Sequence, residues 1–244
     1  MRVAINDDPN QSRSQLMKIP INDDSGQQGS ALICTLMVTT LLGTLVAALV
    51  LVVTTDTMVS ANHRAAQQTL YAADAAIERA IGTLGALGDW RPVPGADGSV
   101  GPDFDDGAIA PRLPGGATLD LARLTAQRQA DSDAMYVPSA NRPVWRLFAH
   151  AALGRLVPGD VIVAPIYLVV WIADDVEDGD GDPLRDSNGV LMVRSEAFGP
   201  QGARRRVEVT LAREIPEDVE TADEGSPLPV RRTQVRMLSW RETP

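Results

Sequence analysis

The chain has 244 residues, a net charge of −10 at pH 7 and a single cysteine. This length is enough for one or two domains. The acidic balance argues against nucleic acid as a partner, since nucleic-acid binding requires a basic surface. A single cysteine excludes an internal disulfide.

The first 29 residues are polar, with three basic and four acidic side chains. A secretory signal has a short basic start, an apolar core of about 7–15 residues and a small-residue cleavage site. Here the apolar run that follows is longer, and no such cleavage site comes after it. We therefore do not expect ordinary signal cleavage to remove the apolar run.

Residues 30–53 form an apolar run of 24 residues without charge or proline. A membrane-spanning helix needs about 20 apolar residues, and runs of this length are more typical of a span than of a buried core helix. Lys and Arg favour the cytoplasmic side. Three of them precede the run, and the first one after it is Arg64. The sequence thus predicts a single pass through lipid with the C-terminal part outside.

Residues 54–87 are predicted to continue the same helix as an amphipathic outer half. No proline interrupts residues 30–87. Small apolar residues recur at three- and four-residue spacing, which is the pattern of one buried helix face. These residues are Ala61, Ala65, Ala72, Ala73, Ala76, Ile77, Ala80, Ile81 and Leu84. We expect this alanine-rich stripe to pack against protein, while residues 30–53 lie in lipid.

The remaining chain divides into a linker and a β domain. Residues 88–142 are rich in Gly and Pro, which interrupt helices and strands, and a short helix is predicted at Leu119–Ala130 with Leu121 and Leu124 facing inward. Residues 143–244 are predicted to form an antiparallel β-sheet, because strands this close in sequence usually pair in that way. The predicted strands are Val144–Ala151, Val161–Ile172, Val190–Phe198, Arg204–Ala212 and Thr233–Trp240. An acidic loop is predicted within Arg213–Pro229. The fold class is therefore α+β, with a long helix whose outer half packs on the sheet.

Three parts of the N-terminal region carry a resemblance to a known family. The sequence Gly29-Ser30-Ala31-Leu32, the long apolar run, and Leu70–Arg79 (LYAADAAIER) resemble the start of PilX-type assembly proteins of type IV pilus systems, which are similar to minor pilins. The segments Val170–Asp175, Asp182-Pro183, Asp186–Gly189 and Leu238–Glu242 are consistent with the same family.

The resemblance implies processing and assembly. A prepilin peptidase would cut after Gly29, remove residues 1–29 as a leader peptide and leave Ser30 as the new N-terminus. The helix would then hold the subunit in the bacterial inner membrane, with its C-terminal domain in the periplasm, and would pack against other pilins or pilus-assembly subunits. Two features differ from the family pattern. Cys34 stands where the mature chains of major pilins carry a glutamate, so the charge of that carboxylate is absent, and Gln27 and Gln28 precede Gly29 where leaders usually carry a basic residue.

A second chemical pattern lies in the β domain. Asp178, Asp180, Asp182 and Asp186 occupy positions 1, 3, 5 and 9 of a short loop, and alternating carboxylates in a turn can converge on Ca²⁺. The loop is not an EF-hand, because Pro183 and Gly189 replace the Gly and Glu that an EF-hand requires. Calcium binding is one prediction, and a solvated turn whose Asp and Gly residues only supply turn geometry is the alternative.

No catalytic pattern is present. His63 and His150 lack metal-ligand spacing, and the sequence contains no G-x-S-x-G, P-loop or G-x-G-x-x-G motif. We therefore predict a structural pilus-assembly subunit that is not an enzyme. Two alternatives remain open: a membrane-anchored periplasmic binding domain with a calcium loop, and a pseudopilin of a type II secretion system.

Overall fold

The structure, a computed structural model, describes residues 25–87, 89–95, 104–108, 110–113, 115–136, 141–157, 164–214 and 234–243. The polar segment before residue 25 lies outside these ranges, as does the predicted acidic loop from residue 215 onward. The chain divides into two compact units, Met1–Asp56 and Thr57–Pro244. The boundary falls three residues after the predicted end of the apolar run at residue 53.

One long helix, α1, covers Ser25–Ala86 and has 62 residues. The predicted long helix is therefore present, but it begins about one turn earlier than residue 30. Gln27 and Gln28 are good helix formers, and no proline follows Pro20 before the apolar run, so nothing stops the helix from extending towards the N-terminus.

The second unit contains a five-stranded sheet in which every neighbouring pair is antiparallel and the strand order follows the chain. The strands are β1 (Arg146–Ala152), β2 (Tyr167–Asp174), β3 (Val190–Phe198), β4 (Arg204–Glu214) and β5 (Gln234–Thr243). All five predicted strands are thus present; β3 has the predicted bounds, and the other four have shifted ends. This confirms the α+β class with a long helix packed on an antiparallel sheet.

The outer half of α1 covers one face of the sheet. Its buried stripe contains Ala65, Ala72, Ala73, Ala76, Ile77, Ala80 and Leu84, which is seven of the nine predicted positions; Ala61 is exposed and Ile81 is partly buried. The stripe packs against strand residues of one parity, such as Leu168, Val170 and Ile172 of β2. Small side chains let the helix come close to the sheet.

The turn after β3 shows how close this approach is. A Cβ placed on Gly199 would lie 2.2 Å from the Oγ1 atom of Thr69 on α1, and Thr69 is fully buried. Only glycine leaves room for this contact. The helix and the turn between β3 and β4 therefore pack without an intervening side chain.

A second helix, α2 (Leu121–Met135), covers the other face of the sheet. Asp120 caps its start by accepting a hydrogen bond from the backbone N–H of Arg123 at 2.9 Å, as N-cap residues do. Leu121 and Leu124 are buried as predicted, and they belong to the same cluster as Trp171 of β2. Both faces of β2 are consequently covered, which explains its continuous apolar sequence.

The segment after α1 contributes to the core, although its composition predicted only a connection. Trp90, Val93 and Phe104 are each at most 1% exposed and belong to the cluster under α1. The indole N–H of Trp90 donates to the backbone carbonyl of Leu84 at 3.1 Å. Gly and Pro prevent regular structure here, but they do not prevent the large side chains between them from inserting into the core.

Candidate functional site

The predicted processing site lies within α1. Gly29 and Ser30 are both helical and exposed, and a Cβ placed on Gly29 would meet nothing within 4 Å. Cys34, one turn further on, is an exposed free cysteine. The peptide bond between Gly29 and Ser30 is therefore on the open surface of the helix, and cleavage there stays a prediction.

The first half of α1 exposes a continuous apolar surface. Every residue of 29–56 is exposed, and large apolar side chains such as Leu32, Leu41 and Leu49 are more than 60% exposed. The helix is long and apolar enough to cross a membrane by length and composition. The chain itself provides no cover for this surface among the residues that the structure describes.

The threonine hydroxyls of this half are bonded inside the helix. Six threonine hydroxyls donate to backbone carbonyls three or four residues earlier: Thr35, Thr39, Thr40, Thr44, Thr54 and Thr55. Unsatisfied polar groups are costly in hydrocarbon. Unpaired hydroxyls would oppose insertion of the segment into lipid. Because these threonine hydroxyls are already bonded, they do not add this cost.

The predicted acidic loop connects β2 to β3. Successive aspartates accept backbone N–H groups two residues ahead: Asp178 from Asp180 at 3.2 Å, Asp180 from Asp182 at 2.8 Å, and Asp182 from Leu184 at 3.1 Å. These are Asx turns. Asp178 also accepts from the backbone N–H and the hydroxyl of Ser187, at 2.6 Å and 2.5 Å, so the loop is closed on itself.

The carboxylates that converge differ in part from the predicted set. Asp174, Asp178 and Asp180 each place an oxygen within 4.8 Å of the others. Asp182 and Asp186 were predicted with them but lie outside this group; Asp182 is exposed, and Asp186 accepts from the backbone N–H groups of Gly189 and Val190. Asp174 is the residue that the spacing pattern missed. The sequence did contain a signal for Asp174: it is an acidic residue at the end of a strand that is apolar on both faces.

Several oxygen atoms around this group have no hydrogen-bond partner. They are Oδ1 of Asp174, Oδ2 of Asp186 and Oδ1 of Asn141, and all three side chains are buried. Asn141 contacts the group directly, since its Nδ2 donates to Oδ2 of Asp174 at 2.9 Å. Buried polar atoms are normally paired, so these three oxygens set the loop apart from an ordinary solvated turn.

Burial and like charge act on these carboxyls. Burial, together with the nearby charges of Asp178, Asp175 and Asp186, raises the pKa of Asp174 to about 7 despite the hydrogen bond from Asn141. Burial also raises the pKa of Asp186. At Asp178 burial acts in the same direction, but hydrogen bonds from Ser187, Asp180 and Asn188 together outweigh it, and the pKa is lowered. The group therefore holds negative charge at an energetic cost.

A second acidic group was not predicted from the sequence. His150 of β1 was set aside because no metal-ligand spacing surrounds it, but the fold brings its ring to Asp105 and Asp106, with Nε2 at 3.2 Å from Oδ1 of Asp105. The hydroxyl of Tyr167 lies 2.9 Å from Nδ1 of His150 and donates to Oδ2 of Asp106 at 2.8 Å. No atom of this group is both buried and unpartnered. It therefore forms a closed hydrogen-bond network that fastens residues 104–108 to the sheet.

Comparison with known proteins adds no assignment. The chain matches no known protein family, no curated protein and no solved structure. Function therefore rests on the chain's own features: an apolar helical surface that its own residues leave uncovered, an outer helical half packed on a sheet, and a buried acidic group with unpartnered oxygens.

Proposed function

We propose that the chain is a pilin-like structural subunit of a type IV pilus assembly system. Residues 30–53 anchor it in the bacterial inner membrane, and the β-sheet unit lies in the periplasm. A prepilin peptidase removes residues 1–29, and the subunit then packs through its N-terminal helix against other pilins or assembly subunits. No catalytic step is part of this role.

The observation that carries the proposal is the division of α1. Its first half has no buried residue, whereas its outer half buries an alanine-rich stripe on an antiparallel sheet. A large apolar surface that the chain leaves exposed marks a membrane or a protein interface. One half of the helix is thus available to lipid or to neighbouring helices, and the other half packs on its own domain. This division supports the proposal that the chain is anchored and assembles through α1.

Cleavage at Gly29 is the direct test. We expect the full chain, co-expressed with a prepilin peptidase, to yield a membrane-bound product whose N-terminal residue is Ser30, as read by mass spectrometry. Gly29→Val should block this cleavage. Gly43→Val is the matched control, because Gly43 lies inside the apolar run and its Cβ position is as open as that of Gly29; this variant should be processed normally.

Three outcomes would contradict the proposal. An N-terminus other than Ser30 in the membrane-derived product would reject processing at this site. Full-length protein confined to the membrane fraction and absent from sheared filaments would favour the membrane-anchored periplasmic binding domain. Recovery only in the envelope fraction with a type II secretion system, after cleavage at Gly29, would favour a pseudopilin.

A further inference from the structure

The end of β2 holds a buried carboxyl group that is not paired with a basic side chain among the described residues. Asp174 is completely buried, and its Oδ1 has no hydrogen-bond partner. Asp178 is also buried, and the oxygens of these two residues and of Asp180 lie within 4.8 Å of one another. No Lys or Arg side chain forms an ion pair with these three carboxylates among the described residues.

Such an arrangement is unfavourable without a positive partner. Burying an unpaired carboxylate costs several kcal/mol, and like charges at this distance add repulsion. Elsewhere in the same sheet buried acids are paired: Glu208 contacts Arg194 and Arg241, and Glu196 contacts Arg204. The fold therefore pairs buried carboxylates with arginine where one is available, and the group at Asp174 lacks one.

We propose that Asp174, Asp178 and Asp180 bind a divalent cation, and that this cation is Ca²⁺. All donors in the group are oxygens, which suits a hard cation rather than zinc. Ca²⁺ accepts six to eight oxygens at irregular angles, whereas Mg²⁺ requires a compact octahedron. Three carboxylates do not fill the coordination shell of Ca²⁺ by themselves, and water would supply further oxygen ligands.

The cation joins separate parts of the second unit. Asp174 belongs to β2, while Asp178 and Asp180 belong to the loop that follows, and Asn141 is hydrogen-bonded to Asp174 from the segment before β1. The same loop accepts a hydrogen bond at the carbonyl of Leu184 from the N–H of Val93, at 3.0 Å. Calcium at this position thus stabilises both the loop and the segment that follows α1.

The test uses the full chain in detergent micelles after treatment with a chelator. Titration with CaCl₂ should release binding heat, and CaCl₂ should raise the melting temperature; equal concentrations of MgCl₂ should do so much less. Asp180→Asn removes one charge from the group but keeps an oxygen that accepts the N–H of Asp182. We expect this variant to bind Ca²⁺ at least about 10-fold more weakly.

Asp182→Asn is the matched control. Asp182 is in the same loop and accepts one backbone N–H in the same way, but it lies outside the group, so its Ca²⁺ affinity should stay within about twofold of the parent, a free-energy change of less than about 0.5 kcal/mol. A third variant, Asp174→Asn, should raise the melting temperature in chelator, because it removes the buried charge, and should abolish the response to CaCl₂.

The outcomes separate the proposal from its alternatives. Absence of calcium heat in the parent chain would overturn the site. Equal losses in Asp180→Asn and Asp182→Asn would overturn the assignment of ligands, and equal responses to CaCl₂ and MgCl₂ would overturn the assignment of the ion. If Asp174→Asn melted at a lower temperature than the parent chain in chelator, the Asp174 carboxylate would stabilise the fold without a cation, and the proposed site would be overturned. None of these results depends on pilus assembly or on cleavage at Gly29.

Discussion

The two halves of α1 share one secondary structure but differ in what covers them. Residues 29–56 carry large apolar side chains and have no buried residue, whereas residues 57–86 carry a stripe of mostly alanine that is buried on the sheet. Large apolar side chains that the chain itself does not bury mark a surface for a membrane or for another protein. Small ones permit close packing within the chain. Side-chain size, rather than hydrophobicity alone, therefore distinguishes the exposed half of the helix from the half that packs on the sheet.

The largest expected effect comes from the outer half. Ile77 is completely buried beneath the sheet, so Ile77→Ala should lower the free energy of unfolding of the sheet unit by about 2–5 kcal/mol, since it leaves a cavity. The fluorescence of the buried Trp90 and Trp171 reports this unfolding in detergent. Leu45→Ala is the matched control in the first half, where Leu45 is 66% exposed, and it should leave unfolding unchanged. A comparable loss in both variants would contradict the division of the helix.

A charge in the first half tests the other side of the comparison. Leu42 lies at the middle of the apolar run, and Leu42→Arg should oppose membrane insertion by about 2.5–3.5 kcal/mol. We expect a larger fraction of the protein to be extracted from membranes by carbonate at high pH, with an unchanged melting temperature of the sheet unit. Tyr71→Arg, at an exposed position of the outer half, should alter neither quantity. Unchanged extraction of Leu42→Arg would argue that this half does not lie in lipid.

The smallest effect concerns the rim of the helix–sheet contact. The indole N–H of Trp240 on β5 donates to Oδ1 of Asp74 on α1 at 3.0 Å, and the contact is exposed. Trp240→Phe removes this hydrogen bond and should cost about 1 kcal/mol or less, as measured by denaturant unfolding. Asp74→Asn keeps an acceptor oxygen and should cost less than Trp240→Phe. A loss as large as that of Ile77→Ala would mean that the rim, not the alanine stripe, holds the helix to the sheet.

Much of the fold could be predicted because its signals are local. The apolar run, the alanine stripe and the alternating residues of β4 each appear within one stretch of sequence, and their elements are present in the structure. The core positions of Trp90 and Phe104 could not be predicted in this way. They lie among Gly and Pro, and only tertiary contacts bring them under α1.

The acidic site was predictable only in part for a similar reason. The alternating spacing correctly drew attention to Asp178 and Asp180, because an Asx turn is a local structure. Asp174 joins them through the fold, since it ends a strand rather than belonging to the repeat. His150 shows the same limit: its carboxylate neighbours are about 45 residues away in sequence and are brought together by the sheet.

The threonines of the first half have a consequence for the proposed assembly of the chain through this helix. Each of the six hydroxyls is already bonded to the helix that carries it. Transfer of this segment from a lipid bilayer into a bundle of neighbouring helices then breaks no hydrogen bond made by these hydroxyls, and rotation about its long axis breaks none either. In the proposed role, exchange of the segment between lipid and a bundle of helices therefore carries no polar barrier from these threonines.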